Sequence, residues 1–324
     1  MTARRKLRGK VVVVTGASSG IGRAAAFEFA RRGARLVLAA RRAEALEVTA
    51  ARCRELGAEA LAVPTDVTRD EDVAHLIERS LAIDGTVDVW VNNAGVTLFT
   101  LFEKAPLEEH RRVLETNLIG AMRCAHAFAP LLRRQQQGVL LNVGSILSKV
   151  GQPFVPSYVI SKFGLRGLTE ALRAEFADLP DVHVCTLLPY AVGTQHFETG
   201  ANRVGLEVRP LPPVQETNDV ARALVDLAER PRRERHVPRI AVLGLALHAL
   251  FPRPVERILL HVLSTWHFRA NPAPITKGSL EPAPSTLPAV HGTRAPKGSS
   301  LQLFGWILQR FVRIMTRPAP PPAR

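Results

Sequence analysis

The sequence predicts an α/β fold: a doubly wound parallel sheet of Rossmann type, followed by a basic, partly helical C-terminal extension. Three observations carry this expectation. Val11–Val14 is an unbroken β-branched run, as a strand covered on both faces requires. It opens directly into Thr15-Gly16-Ala17-Ser18-Ser19-Gly20-Ile21-Gly22, a glycine-rich turn before a helical stretch. Beyond it, short apolar runs alternate with amphipathic stretches as far as residue 229, the rhythm of repeated strand–helix units.

The elements follow in order. Arg23–Arg32 is helical and is stopped by Gly33. Arg35–Ala40 reads as the second strand, and Ala43–Leu56 as a helix ended by Gly57. Ala60–Val63 is the third strand and leads to Asp66; Asp70–Leu81 is helical. Val87–Val91 is the fourth strand and ends in Asn92-Asn93-Ala94-Gly95. Leu107–Leu132 has a long helical period. Val139–Val143 is the fifth strand, ending near Ser145; Ser157–Ala177 is helical; Val182–Leu188 is the sixth strand. Thr217–Glu229 is the last helix before the composition changes. These patterns predict a catalytic domain over residues 1–235 and an extension over 236–324.

In the extension, Val255, Ile258, Leu259, Val262, Leu263 and Trp266 form one helical stripe, with Glu256, Arg257 and His261 opposite. A second candidate helix carries Leu301, Phe304, Leu308, Phe311, Val312 and Met315 on one side and Trp306, Arg310, Arg313 and Arg317 on another. Between them, residues 271–300 are rich in Pro, Gly, Ser and Thr and read as a flexible linker. Residues 317–324 form a proline-rich end.

At 324 residues and 46% hydrophobic content, the chain can bury one large core with an appendage. The net charge of +14 sits at the ends: residues 1–10 hold five basic residues and no acid, and 230–324 hold 15 Lys/Arg against three Glu. The basic balance therefore concerns what the ends touch, not the substrate. Basic helices bearing Trp and Phe suit an anionic membrane surface; docking onto the body is the alternative. Long aliphatic faces between the basic residues argue against a nucleic-acid partner. Cys53, Cys124 and Cys185 match neither a disulfide framework nor a metal-ligand spacing, which points to a reducing compartment and no metal. No signal-peptide pattern is visible, and the longest apolar run, Ile240–Phe251, falls short of the ~20 residues that span a bilayer. The expected location is cytoplasmic, with peripheral contact on the inner face of a membrane as an addition.

Three groups of residues carry chemistry. A strand, a glycine turn and a helix N-terminus make an anion site, since the helix end presents unpaired N–H groups and glycines let a pyrophosphate approach. Here Gly16, Gly20 and Gly22 supply the turn, with Ser18, Ser19 and Ile21 between them. The second strand ends Ala39-Ala40-Arg41-Arg42. It lacks the carboxylate that holds a ribose 2′-hydroxyl, and two guanidiniums can grip a 2′-phosphate, so NADP(H) is favoured over NAD(H). Tyr158 and Lys162 lie four apart, on one helix face. An ammonium beside a phenol favours the phenolate. Ser145 stands 13 residues before Tyr158.

The glycine turn, Asn92-Asn93-Ala94-Gly95, Ser145 and the Tyr158/Lys162 pair, in this order, resemble the short-chain dehydrogenase/reductase family over roughly residues 8–230. The resemblance implies Tyr158 as general acid/base, Lys162 as its partner and a ribose ligand, and Ser145 as a hydrogen-bond donor to the substrate carbonyl. It implies that Asn117 organises a proton-relay water, that Asp66 and Val67 lie near the adenine, and that Asn93, Ala94 and Gly95 lie beside the adenosine ribose. Asn93 has a second reading, as a tie between strands. Pro189, Val192 and Thr194 match the segment that meets the nicotinamide amide, but Tyr190 replaces the family's usual glycine. A bulky residue there could reshape the nicotinamide wall or demand another backbone dihedral. Ser148 is a weaker candidate for the serine role, and His196 reads as a loop histidine rather than a base. Leu98, Phe99, Phe102, Phe197, Val204, Leu206 and Leu211 suggest an apolar pocket. The whole reads as an NADP(H)-dependent oxidoreductase interconverting a secondary alcohol and a ketone or aldehyde, with a lipophilic small-molecule substrate. The family resemblance implies a homo-oligomer, dimer or tetramer. Two alternatives are a cofactor-binding regulatory or scaffold protein, and a dehydratase or epimerase on the same fold.

Overall fold

The computed structural model describes residues 6–238, 241–281, 289–294 and 298–317. Its centre is β1 (Val11–Thr15), where Val12 and Val14 enter one core and Val11 and Val13 the other. β-branched side chains fill both faces of a pleated strand, so no position is left for a polar group among the four valines. β2 (Arg35–Ala40) repeats the device, with Leu36 and Leu38 on one face and Val37 and Ala39 on the other. With β3 (Ala60–Pro64), β4 (Val89–Asn92), β5 (Gln137–Val143), β6 (Asp181–Pro189) and β7 (Glu234–Val237), they form a seven-stranded sheet in the order β7-β6-β5-β4-β1-β2-β3. Every pairing is parallel.

Helices α1 (Gly20–Arg31) and α2 (Ala43–Glu55), with α8 (Thr217–Glu229), supply side chains to one core. α3 (Asp70–Asp84) and α5 (Gly120–Gln135) cover the other face, and Phe128 stacks on Trp90 at 5.5 Å. The chain lays down β1, β2 and β3 in one direction, then returns to place β4 against β1. That reversal opens a crevice at the carboxyl ends of β1 and β4.

The helical period over residues 107–132 resolves into α4 (Leu107–Leu114), a π turn at Glu115–Ile119 and α5. The widened turn carries Asn117, which is buried. β7 was not legible as a strand, because Glu-Arg-His-Val has no apolar alternation. Pairing with β6 and the ion pairs of Glu234 with Lys149 and Arg166 hold it instead. It runs past residue 235, so the expected domain boundary falls inside the sheet.

The extension is docked. Val262, Leu263, Trp266 and Phe268 share a third core with Phe99, Phe154, Val155, Leu206, Val208 and Leu211. Phe268–Pro272 pairs antiparallel with Leu206–Val208, and Phe154 meets the Phe268 ring edge-on at 5.0 Å. The stripe of α10 (Pro252–Val262) thus faces the body. His261, expected on the opposite side, is buried as well, with its Nδ1 2.9 Å from the Arg257 carbonyl. Residues 271–300 do not form a free linker where they are described. Thr276 and Asn202 exchange both backbone hydrogen bonds, at 2.9 and 3.0 Å, and Gly292 N donates to Gly193 O at 3.0 Å. A stretch without periodicity can be held by backbone bonds to its neighbours, which no side-chain pattern reveals.

α11 (Ser300–Thr316) is capped by a reciprocal Ser299–Gln302 pair and turns the unexpected face inward. Trp306 and Ile307 pack on the third core, while Leu301, Phe304, Leu308 and Val312 are exposed. α9 (Ala241–Leu250), AVLGLALHAL, has no buried residue. Ile240, which opens that apolar run, and the proline-rich end after Arg317 lie outside the described residues. Among the described residues no helix is long and apolar enough to cross a membrane.

Docking of the extension makes Trp266 a core residue. Trp266→Ala should lower the unfolding free energy by about 3–5 kcal/mol in urea denaturation. A change within about 0.5 kcal/mol, typical of a surface site, would mean the extension is not part of the fold.

Candidate active site

The crevice is shaped by a tight turn. Gly16 and Gly20 adopt φ of 66° and 53°, in the left-handed region open to glycine. A Cβ on Gly22 would collide with the Gly16 carbonyl and the Asn93 amide. Asn93 Nδ2 donates to Thr15 O at 3.0 Å and Gly16 O at 3.2 Å. Thr15 Oγ1 accepts from Asn93 N at 3.0 Å and Ala94 N at 3.2 Å, and donates to Val91 O at 3.1 Å. Asn93 therefore ties β1 to β4 across the mouth of the crevice, which agrees with its second reading. No side chain caps the N-terminus of α1, so its first-turn amides beyond Gly20, which donates to Ala289 O at 2.9 Å, are suited to an anion.

On the far side, α6 (Pro156–Glu175) starts with proline at its first position, where a missing N–H costs nothing. Its opening turns carry Tyr158, Ser161 and Lys162. Lys162 Nζ donates to Val143 O at 2.8 Å and lies 5.4 Å from the centre of the Tyr158 ring. Ser145 follows β5 in an extended conformation. Its Oγ accepts from Leu147 N at 3.2 Å, while Ser148 Oγ accepts from Ser145 N at 3.2 Å. Ser148 thus buttresses Ser145, whose hydroxyl hydrogen-bonds the Tyr158 hydroxyl.

Burial dominates the proton equilibria here. It pushes the Tyr158 phenol up to about 12, with the Ser145 hydrogen bond acting in the opposite direction. It brings the Lys162 ammonium down to about 8. The expected phenolate is therefore disfavoured in the cofactor-free protein: the neutral phenol loses less on leaving water than its anion would. His196, in α7 (His196–Thr199), packs against Tyr158 with ring centres 5.5 Å apart and planes tilted by 59°. Burial first, and the Lys162 charge second, lower it to about 4. Near neutral pH, then, a protonated phenol, a charged amine and a neutral imidazole meet.

One cavity of about 530 Å³ joins these groups. Gly16, Ser18, Ser19, Gly20, Ile21, Arg41, Arg42, Asp66, Val67, Asn93, Ala94, Gly95, Ser145, Tyr158, Lys162, Pro189, Val192 and Thr194 all line it. Gly22 and Asn117 do not. Asn117 Oδ1 accepts from Val96 N at 2.8 Å, and its amide donates to Val96 O at 2.9 Å and Ser161 Oγ at 3.1 Å. It locks the strand end after β4 to α6. Asp66 Oδ1 accepts from Thr68 N and Oγ1 at 3.0 and 2.8 Å, shaping the loop before α3. The Arg42 guanidinium is lowered by partial burial and then by Arg41 beside it, a like-charge pressure that an anion would relieve. Tyr190 lines the wall without a positive φ; among the described residues the non-glycine ones with a positive φ are Gln136 and Phe154. The replacement of glycine thus changes the wall and not the backbone.

Sequence reasoning missed Gln152, His267 and Ser279, which also line the cavity. The last two come from the extension, and no local pattern marks them. His196 is visible beside Thr194, but its surroundings in the chain mark it only as a loop residue.

A family model described as short chain dehydrogenase matches residues 10–203. The chain belongs to that family. As a short-chain dehydrogenase it is an oxidoreductase on a nucleotide-binding fold. It is 33% identical over 264 residues to the uncharacterized oxidoreductase YxnA of Bacillus subtilis, covering 80% of this chain and 74% of that protein. It is 34% identical over 229 residues to 3beta-hydroxysteroid dehydrogenase 1 of Eggerthella lenta, covering 68% and 87%. Among solved structures, a short-chain dehydrogenase/reductase from Burkholderia phymatum in complex with NAD superposes with a TM-score of 0.69 at 26% identity, covering 77% of this chain and 96% of the other. An alcohol dehydrogenase from Thermococcus sibiricus complexed with 5-hydroxy-NADP gives 0.62 at 33% identity, covering 71% and 96%.

The proton equilibria set a pH profile. kcat/KM for the reduced cofactor, which reports the free protein, should be flat from roughly pH 5 to 7. It should fall above about 8, where Lys162 loses its charge. A limb near the ordinary histidine value of about 6.5 would instead mean that His196 titrates in the site.

Proposed function

We propose that this protein is an NADP(H)-dependent oxidoreductase that interconverts a lipophilic secondary alcohol and its ketone, or an alcohol and its aldehyde. The observation that carries the reading is the half-buried, protonated Tyr158, hydrogen-bonded to Ser145 beside Lys162, at one end of a continuous cavity that reaches Arg41. A nicotinamide dinucleotide suits that shape, and when bound it supplies or accepts the hydride. Gly16, Ser18, Ser19, Gly20, Ile21 and Gly22 would hold its pyrophosphate, Arg41 and Arg42 its 2′-phosphate, and Asp66 and Val67 its adenine. Asn93, Ala94 and Gly95 would flank the adenosine ribose, and Pro189, Val192 and Thr194 the carboxamide.

The protein side of the reaction is proton transfer and charge stabilisation. The Tyr158 hydroxyl hands its proton to the carbonyl oxygen, and Ser145 donates a second hydrogen bond to that oxygen. The Lys162 ammonium lowers the cost of the phenolate left behind and would bond the ribose hydroxyls of a bound cofactor. Asn117 has its side chain committed to Val96 and Ser161, so a relay water would be organised by its main chain. Phe99, Leu147, Val155, Phe197 and Leu211 line the substrate end, which favours a lipophilic substrate. The hydroxysteroid relative supports the same substrate class. The Thermococcus complex supports an NADP-type ligand, and the Burkholderia complex shows that the fold also accommodates NAD.

We also infer a homo-oligomer, dimer or tetramer, through the outer faces of α5 and α6, where Met122, Ile160 and Phe163 are exposed. Peripheral contact with the inner, anionic face of a membrane would use α9 and the outward face of α11, whose exposed apolar side chains stand among the basic residues of the extension.

NADPH oxidation over a panel of ketones and aldehydes tests the chemistry. Tyr158→Phe should lower kcat by about 10²–10⁴-fold with little change in cofactor affinity, and Arg41→Ser/Arg42→Ser should weaken NADPH more than NADH. Turnover indifferent to Tyr158→Phe overturns the assignment of the acid. Membrane contact is checked by flotation with anionic vesicles, where Leu243→Glu/Leu247→Glu should float less than the parent; equal flotation removes that part of the reading.

A further inference from the structure

Two described segments of the extension, 276–281 and 289–294, touch residues in or beside the cavity wall at successive points. At the Arg41 end, Ser279 O accepts from Arg41 Nη2 at 3.0 Å, and Ser279 itself lines the cavity. Over the glycine turn, Ala289 O accepts from Gly20 N at 2.9 Å. Beside Thr194, Gly292 N donates to Gly193 O at 3.0 Å. Beyond it, one carboxylate oxygen of Glu198 in α7 gathers three donors: Thr293 N, Thr293 Oγ1 at 3.0 Å and Arg294 N at 3.1 Å. Arg294 Nη1 then donates to Phe197 O at 2.6 Å and Val208 O at 3.0 Å.

The fit leaves no room for side chains at two positions. A Cβ on Gly292 would run into the Thr194 carbonyl, and one on Gly278 into the carbonyls of Thr199 and Gly200. Both obstacles are backbone, which cannot swing aside as a flexible side chain can. Two glycines pressed against fixed chain mark a docked surface, and the surface they dock on is the one that closes the cavity.

We propose that residues 276–281 and 289–294 form a roof on the cofactor site: they hold the dinucleotide against the ends of the strands, and it leaves only when the Glu198 latch opens. The inference rests on the reading of this cleft as a dinucleotide site. The geometry favours a roof over a plug. The cavity of about 530 Å³ runs from Arg41 to Tyr158 with Ser279 in its wall and none of residues 289–294 among its lining, so these residues do not fill the space the cofactor needs. Of the glycine-turn amides, the roof engages Gly20 N–H. α7 also carries His196 and Phe197, which line the substrate end. Closing the latch therefore sets the cofactor roof and one substrate wall together.

Stopped-flow chase of bound NADPH and NADH tests the roof, using the full-length chain, Gly292→Val and Glu198→Leu. Both variants should release cofactor ~10-fold faster or more, as loss of several hydrogen bonds implies, with the melting temperature of the cofactor-free chain little changed. Glu198→Leu removes the acceptor of all three latch bonds without adding bulk and is decisive by itself where Gly292→Val disturbs folding. Unchanged release rates overturn the roof. Tighter binding with faster association in the variants overturns it too, because that identifies a plug competing with the cofactor. A parent chain that binds neither reduced cofactor overturns the dinucleotide reading itself, and the roof with it.

Discussion

The site depends on one cross-tie, the pair of residues Thr15 and Asn93 that fastens β1 to β4. Parallel strands diverge in connection at this point, and the sheet alone leaves a crevice of undefined width. Thr15 Oγ1 holds the backbone of Asn93 and Ala94, and the Asn93 amide holds the backbone of Thr15 and Gly16. With these bonds made, the glycine turn cannot drift from the end of β4. Gly22 then has to be glycine, because the Asn93 amide occupies the place of a side chain. A second tie, from Asn117 to Val96 and Ser161, carries the same rigidity across to α6 and so to Tyr158. Cofactor turn and proton donor are thereby fixed to one frame.

Burial then decides the chemistry offered by that frame. Spacing alone suggests a lysine that makes the phenol acidic. In the folded protein the phenol is pushed up to about 12, because a phenolate loses its hydration in the enclosed cleft. A phenol that holds its proton is a ready donor to a developing alkoxide. The same burial weakens the hold of Lys162 on its proton, so each of the two groups answers to whatever charge enters the cavity.

Much of this was legible in the chain because it is local. The β-branched run Val11–Val14 shows a strand covered on both faces, glycine positions show a close backbone approach, and four-residue spacing shows two side chains on one helical face. What was not legible depends on distant partners. Glu234–Val237 is a strand because β6 and two basic side chains receive it, not because its own pattern demands one. α11 packs a half-buried Trp306 inward and exposes Leu308 because the third core offers an aromatic partner in Trp266. The residues after 271 carry Pro and Gly without period, yet Gly292 and Ala289 are held by backbone bonds that no side-chain pattern encodes. Ser279 and His267 entered the cavity wall by the same route.

In the proposed reaction hydride and proton meet at one carbonyl, the proton coming from Tyr158. The most direct measurement follows NADPH deuterated at both C4 positions through a single turnover with a ketone that the protein accepts. One deuterium on the carbinol carbon for each cofactor consumed is the predicted result. Product that lacks deuterium, or that forms without loss of reduced cofactor, would contradict the account and point to dehydratase or epimerase chemistry in the same cleft.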